Sequence, residues 1–193
     1  MLDLSRKLVD ELVLDDVTYP LNLSFNKVLR MFDMWEDDEV PDYVKPHFAL
    51  RILTGEKFEQ LTAQEAMDVF EQVFDEHIQI KKAIEEVPEY DLAGNVMKPV
   101  KTGTSTKKKR VYSLKYDGEY IYASFMQAYS IDLFEVQNKL HWKKFNALLA
   151  GLPEGTKLIE VVKIRSYEPQ KGDTQRYIDD MKELQEEYRL PDD

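Results

Sequence analysis

The segment from Tyr116 to Pro153 constrains the fold most, because it concentrates large aromatic side chains at helical spacing. Eight of them lie within 30 residues: Tyr116, Tyr120, Tyr122, Phe125, Tyr129, Phe134, Trp142 and Phe145. Such rings bury large areas on folding and often serve as binding anchors. The segment therefore predicts helices that form a core, offer a surface to a partner protein, or do both.

Two helices are predicted within this segment. The first follows Asp117, a good helix-capping residue, and the second runs from Leu133 to Gly151. The second helix is apolar over a wide arc, which is typical of a helix that is buried on two sides or gives one side to a partner. We expect Ile121, Phe125, Leu140 and Phe145 to be buried. The candidate binding residues in the segment are Tyr122, Tyr129, Trp142 and Lys143.

The N-terminal part, residues 1–87, is predicted to be helical after a short β-hairpin. Residues 11–21 favour two short strands around a turn at Asp15–Asp16. Helices are expected from Ser24 to Trp35, from Pro41 to Gly55, and from Thr62 to Val87, the last opening with a Thr62–Glu65 capping box. Its apolar positions form a seam at 4-3 spacing: Ala66, Phe70, Val73, His77, Ile80, Ile84 and Val87. We take His77, Ile80 and Ile84 of this seam as further candidate partner contacts.

Residues 88–111 differ from the rest, because they contain Pro, Gly and a basic run but no apolar period. They predict a linker or exposed loop between the N-terminal part and a C-terminal helical part, residues 112–193. Within the latter, residues 156–166 suit a helix or a strand, and residues 173–188 suit an amphipathic helix. The fold class expected is mainly α, a multi-helix bundle-like domain with a short N-terminal β-hairpin.

Charge and composition disfavour several classes of protein. The net charge is −11, and the only basic excess lies in the predicted linker, whereas a nucleic-acid binder normally carries a basic face on a folded part. No apolar run approaches the roughly 18 residues that a membrane helix needs. There is no cysteine and no apolar signal segment at the N-terminus, so we expect a cytoplasmic protein without disulfides.

No reaction chemistry is apparent in the sequence. The three histidines, His47, His77 and His141, form no metal-binding pair, and satisfied core histidines are the simpler interpretation of the last two. The acidic run 36–39 lacks the spacing of a calcium loop, and the Lys107–Arg110 run lacks that of a phosphate loop. We therefore expect no catalytic, cofactor-binding or metal-binding residue, and a protein that is not an enzyme.

The aromatic segment also carries a family resemblance. The runs Ile121–Phe125, Tyr129–Leu133, Leu140–Phe145 and Leu148–Pro153 resemble the "gene product fifteen" family of long-tailed phages and prophages of Gram-positive bacteria. The likeness extends to Leu14–Phe25, Ile164–Arg165 and Tyr188–Pro191. This chain has Ser130 where the family usually has glycine, and Lys143 where it usually has tryptophan.

The resemblance implies a role in tail assembly within the host bacterial cytoplasm. Members are usually encoded between the major tail protein and the tape-measure protein, which suggests a non-enzymatic chaperone that binds the helical tape measure and other tail assembly proteins. A homo-oligomer is compatible with this role. The alternatives are a minor tail or connector protein retained in the virion, and a nucleic-acid-binding regulator that uses Lys107–Arg110.

Overall fold

The computed structural model describes residues 4–79 and 111–191, which form a mainly α-helical fold with one N-terminal hairpin, as predicted. The elements of these ranges are β1 (Glu11–Leu14), β2 (Val17–Pro20), α1 (Phe25–Glu36), α2 (Lys45–Thr54), α3 (Ala63–Val73), a π-helical turn (Phe74–Ile78), α4 (Gly118–Tyr129), α5 (Trp142–Ala150), α6 (Lys157–Arg165) and α7 (Gln175–Glu187). None of the described helices has the length and apolar character needed to cross a bilayer.

Local signals place the hairpin and the first helices. Asp15 and Asp16 both have positive φ, 49° and 61°, as a two-residue turn between antiparallel strands requires. The predicted Thr62–Glu65 capping box is present at the start of α3. Helix α2 begins at Lys45 rather than at Pro41, because residues 41–45 first form separate turns.

The predicted helix from Thr62 to Val87 is wrong at Gln79, where its described part ends in extended conformation, and its residues 80–87 lie outside the described residues. Helix α3 ends at Val73, and the π-helical turn that follows closes with a hydrogen bond from the Gln79 N–H to the Phe74 carbonyl (2.7 Å). This wider turn buries Ile78, and Gln79 continues in extended conformation. The first three seam residues, Ala66, Phe70 and Val73, are buried in the core, whereas Ile80, Ile84 and Val87 lie outside the described residues.

The predicted helix from Leu133 to Gly151 is also wrong over its first half, because α5 begins only at Trp142. Residues 133–139 form turns, and Asn138 has a φ of 59°. A reciprocal pair of hydrogen bonds holds it there: the Asn138 N–H donates to Asn26 Oδ1 (2.9 Å), and Asn26 Nδ2 donates to Asn138 Oδ1 (3.1 Å). A contact with α1 thus overrides the apolar pattern of this segment.

Helices α1 and α5 start side by side, although they are far apart in the sequence. Ser24 and His141, their N-cap residues, form an isolated antiparallel β-bridge. The Phe25 N–H donates to the Leu140 carbonyl (2.9 Å), and the Trp142 N–H donates to the Leu23 carbonyl (2.7 Å). The residue two positions before each helix thereby accepts a hydrogen bond from a first-turn N–H group that the other helix cannot satisfy internally. We call this contact the α1–α5 bridge.

A stack of three phenylalanine rings fills the core beneath the bridge. The Phe145 ring stacks on Phe25 and on Phe125, with centroid distances of 5.0 and 5.2 Å. These contacts join the chain segments before and after residues 88–110 in one hydrophobic core. Ile121, Phe125 and Phe145 are buried as predicted, whereas Leu140 is only half-buried.

The C-terminal part is held by a buried ion pair. Asp117 stands at the N-cap position of α4 but does not cap it with its side chain. Instead its oxygens accept from Arg165 Nη1 (2.6 Å) and Nη2 (2.8 Å) and from the Ser113 N–H (2.8 Å). Arg165 Nε donates to the Tyr188 carbonyl (2.5 Å), so this guanidinium fixes α6 against both α4 and the C-terminus of α7. Residues 157–165 are helical, which settles the helix-or-strand alternative.

Replacing Arg165 by lysine should destabilise the fold by about 2 kcal/mol or more. A lysine cannot donate to both Asp117 oxygens and to Tyr188 at once, and it leaves buried acceptors unpaired. Urea unfolding followed by circular dichroism measures the change. Arg176→Lys, at an exposed position of α7, is the matched control and should change stability by less than about 0.5 kcal/mol. Equal stabilities of the two variants would contradict the role given to the ion pair.

Ser130 occupies a left-handed backbone conformation at the C-terminus of α4, with a φ of 53°. Glycine adopts this conformation without steric cost but loses more entropy on folding. We expect Ser130→Gly to stabilise the protein by about 0.5 kcal/mol, measured as a rise in the urea midpoint. Ser166→Gly, at the right-handed C-cap of α6, should lower the midpoint instead. A lower midpoint for Ser130→Gly as well would show that the conformation carries no strain.

Candidate partner-binding surface

A polar junction centred on Asp10 gathers several of the predicted residues. Asp10 Oδ1 lies 2.9 Å from His77 Nδ1 and 3.8 Å from Lys143 Nζ, and Asp10 Oδ2 lies 2.7 Å from His141 Nε2. The Asp10 side chain is only 7% exposed. The junction connects the residue before β1, the π-helical turn and the start of α5, so it contributes to the packing of three segments.

The hydrogen bonds of His141 define its proton position. The Lys143 N–H donates to His141 Nδ1 (3.0 Å), so Nδ1 carries a lone pair and Nε2 carries the proton that is donated to Asp10. His141 therefore caps the start of α5 with its side chain. Burial acts to raise the pKa of Asp10, but the hydrogen bonds from His141 and His77, together with Coulombic attraction to His141 and Lys143, outweigh it and lower the pKa to about 2.

This junction is better suited to holding the fold than to catalysis or metal binding. Both carboxylate oxygens of Asp10 accept bonds from the facing ring nitrogens, which leaves those nitrogens without a free lone pair for a metal ion. Across residues 4–79 and 111–191, no group of three or more acidic or histidine side chains is arranged to hold a metal. His77 and Lys143, predicted as partner contacts, thus lie half-buried around Asp10.

Two further predicted contacts are also occupied within the fold. Trp142 is only 3% exposed, and its indole N–H donates to the Ile78 carbonyl (2.9 Å), so the prediction that it lies near a binding surface is wrong. Tyr129 is half-buried and donates its hydroxyl proton to the Leu148 carbonyl (2.9 Å). Ile80 and Ile84 lie outside the described residues.

An open groove runs along one face of α1 and contains the remaining predicted residue, Tyr122. We call it the α1 groove, and it has two lobes that share Leu29, Asp33 and Leu114. The aromatic lobe has a volume of about 320 Å³ and is lined by Phe25, Asn26, Leu29, Arg30, Asp33, Leu114, Gly118, Ile121, Tyr122, Leu133, Phe134, Gln137 and Phe145. The acidic lobe has a volume of about 370 Å³ and is lined by Leu29, Phe32, Asp33, Glu36, Tyr112, Leu114 and Lys115.

The aromatic lobe combines a buried floor with an exposed rim. Phe25, Ile121 and Phe145 form the floor, whereas Phe134 is 71% exposed and its ring packs against Tyr122, at a centroid distance of 5.5 Å. The Tyr122 hydroxyl donates to Asp132 (3.2 Å), and desolvation together with Asp132 raises the pKa of Tyr122. Phe134 belongs to the aromatic segment. It was not among the predicted contacts, because a helix was expected where the structure has a turn.

The acidic lobe lies at the C-terminal end of α1. Asp33 and Glu36 line it, and Lys115 Nζ approaches Glu36 Oε2 at 3.5 Å, with both side chains about half exposed. Tyr112, which is 41% exposed, forms the opposite wall. Exposed aromatic residues such as Tyr112 are enriched at protein–protein interfaces.

The described residues thus form a mainly α-helical protein with an open groove along α1. The family model described as "Bacteriophage Gp15 protein" matches residues 5–190, so the chain belongs to the bacteriophage Gp15 family, as its resemblance indicated. It is therefore a phage protein. No curated protein and no solved structure matches the chain.

The contribution of Asp10 to stability should depend on pH, because its pKa is about 2 in the fold against an ordinary 3.8. A carboxyl group with a lowered folded pKa stabilises the protein above its unfolded pKa, and this contribution is lost as the pH falls through the folded value. The difference in free energy of unfolding between the wild-type chain and Asp10→Asn should be largest near pH 5 and about half as large at pH 3.

Asp75→Asn provides the control, since Asp75 is exposed on the π-helical turn. Its difference from the wild-type chain should stay near zero over the same pH range. A difference for Asp10→Asn that does not change between pH 5 and pH 3 would show that the carboxylate charge adds nothing to the junction.

Proposed function

We propose that this chain is a non-enzymatic tail assembly chaperone that binds the tape-measure protein through the α1 groove. The observation that carries the proposal is the aromatic lobe, in which an exposed phenylalanine, Phe134, stands beside a pre-formed apolar floor. An exposed ring next to a concave apolar site is the arrangement of a protein-binding hot spot.

The shape of the groove favours a helical partner segment. Its α1 side extends from Asn26 to Glu36, which corresponds to about 15 Å of helix. A partner helix of three turns fits this length and would place apolar residues at positions i, i+3 and i+7 against Leu29, Leu114 and Phe134. The resemblance to tail assembly proteins supports a tape-measure segment as that helix, because a tape measure is long and helical.

The chaperone role also implies a copy number, a location and a cofactor requirement. A chaperone that coats an extended partner acts in several copies, in the host cytoplasm, and needs no cofactor. The other candidate, a minor tail or connector protein that stays in the virion, makes the opposite prediction for finished particles. Mass spectrometry of purified virions should detect no copies of this chain, and stoichiometric amounts there would refute the chaperone role.

Phe134→Ala should weaken the complex with the tape-measure protein by at least about tenfold, as expected for a central aromatic anchor. Co-expression of the full chain with the neighbouring tape-measure protein, followed by affinity pull-down and titration, measures the effect. Stability should change by less than about 1 kcal/mol, because the ring is 71% exposed.

Tyr43→Ala is the matched control, because Tyr43 is a 69% exposed aromatic residue that does not line the α1 groove. It should leave binding unchanged. Equal binding by the two variants would remove the groove from the proposal, and the absence of any complex with the wild-type chain would refute the proposal itself.

A further inference from the structure

We infer that the segment bound in the α1 groove is an amphipathic helix with a cluster of lysine or arginine residues at one end, and that this end lies against the C-terminus of α1. The inference rests on the proposed function only for the identity of the protein that supplies the helix. Its chemistry follows from the charges and the shape of the groove.

The C-terminal end of α1 is strongly negative. Asp33 and Glu36 line the acidic lobe, and Asp37, Asp38 and Glu39 follow directly in the sequence. The last turn of α1 contains no basic residue. The partial negative charge at a helix C-terminus adds to these carboxylates, so the lobe attracts cations.

The other end of the groove has a different character. There α1 contributes Asn26 and Arg30, and the facing turn contributes Gln137 and the exposed Phe134. Apolar surface is concentrated at this end, whereas Glu36 lines only the acidic lobe and Asp33 lines both. A helix whose apolar face continues into a basic end matches both lobes in one orientation, whereas a uniformly apolar or acidic helix leaves the carboxylates uncompensated.

Removing the charge of Lys115 has a predicted effect on affinity that is opposite to the usual one. In the free protein this lysine is the basic residue beside Glu36 in the acidic lobe. A basic partner would have to compete with it for the carboxylate and would also be repelled by it. Removing the charge of Lys115 should therefore strengthen binding, although most losses of a charged surface contact weaken a complex.

The experiment uses the full chain and labelled helical peptides of about 18 residues, long enough to span the groove. Four peptides share one apolar face: two carry three lysines, at the N-terminal or the C-terminal end, and two carry three glutamates at the same positions. Fluorescence anisotropy gives each Kd at about 50 mM and about 300 mM salt, since screening should weaken the basic contact.

One lysine peptide should bind at least about fivefold more tightly than either glutamate peptide at low salt, and this advantage should shrink at high salt. The double variant Asp33→Asn/Glu36→Gln should weaken its binding about fivefold to tenfold, and Lys115→Gln should tighten it about twofold. The controls are Glu183→Gln/Glu187→Gln on α7 and Lys57→Gln, which change the same charges outside the groove and should have no effect.

Several outcomes overturn the inference. The first is an equal Kd for all peptides. The second is a loss of peptide affinity in Phe134→Ala without any change in the charge variants. The third is a dimer of the chain that Phe134→Ala dissociates. A more than tenfold gain in peptide affinity on neutralising Lys107–Arg110 would show that the chain's own basic run competes for the groove, which also overturns it. If the lysine peptide behaves as expected but the tape-measure protein does not bind, the proposed function fails and the groove chemistry stands.

Discussion

The α1–α5 bridge is the contact on which the rest of the structure depends. Two short backbone hydrogen bonds, 2.9 and 2.7 Å, join the starts of helices that are more than 100 residues apart in the sequence. Because the bridge brings the starts of the two helices together, Phe145 can stack between Phe25 and Phe125. The core of the N-terminal part and that of the C-terminal part thereby become one.

The groove is a consequence of the same contact. The bridge brings residues 131–140 against α1, and the Asn26–Asn138 pair then holds this segment as a turn rather than a helical extension of α5. A turn projects Phe134 outward above the floor of the aromatic lobe, whereas a helix continuous with α5 would have directed the apolar residues of the segment to one face. The candidate binding surface thus exists because a long-range contact interrupts a locally favourable helix.

Sequence reasoning succeeded where the determining interactions are local. The Asp15–Asp16 turn, the Thr62–Glu65 capping box and the Gly151 helix end depend on residues within about four positions, and each is visible in the pattern itself. The sequence-based predictions were wrong where the determining contact comes from a residue far away in the chain. Apolar periodicity continues through Ile78 and through Leu133–Leu140, so nothing in those windows indicates a π-helical turn or the left-handed Asn138.

Two aromatic residues of the candidate site also show that sequence patterns do not reveal long-range contacts. Trp142 and Phe134 belong to one aromatic segment, and composition gives both the same claim to a binding surface. The indole N–H of Trp142 can be satisfied inside the protein only because the π-helical turn presents the Ile78 carbonyl 2.9 Å away, so the tryptophan is buried. Phe134 has no polar group to satisfy and stands on a turn fixed by Asn26. Which of the two rings is exposed is therefore decided by the Ile78 carbonyl and the Asn26 side chain, which lie in the first 80 residues of the chain and are not visible in the aromatic segment alone.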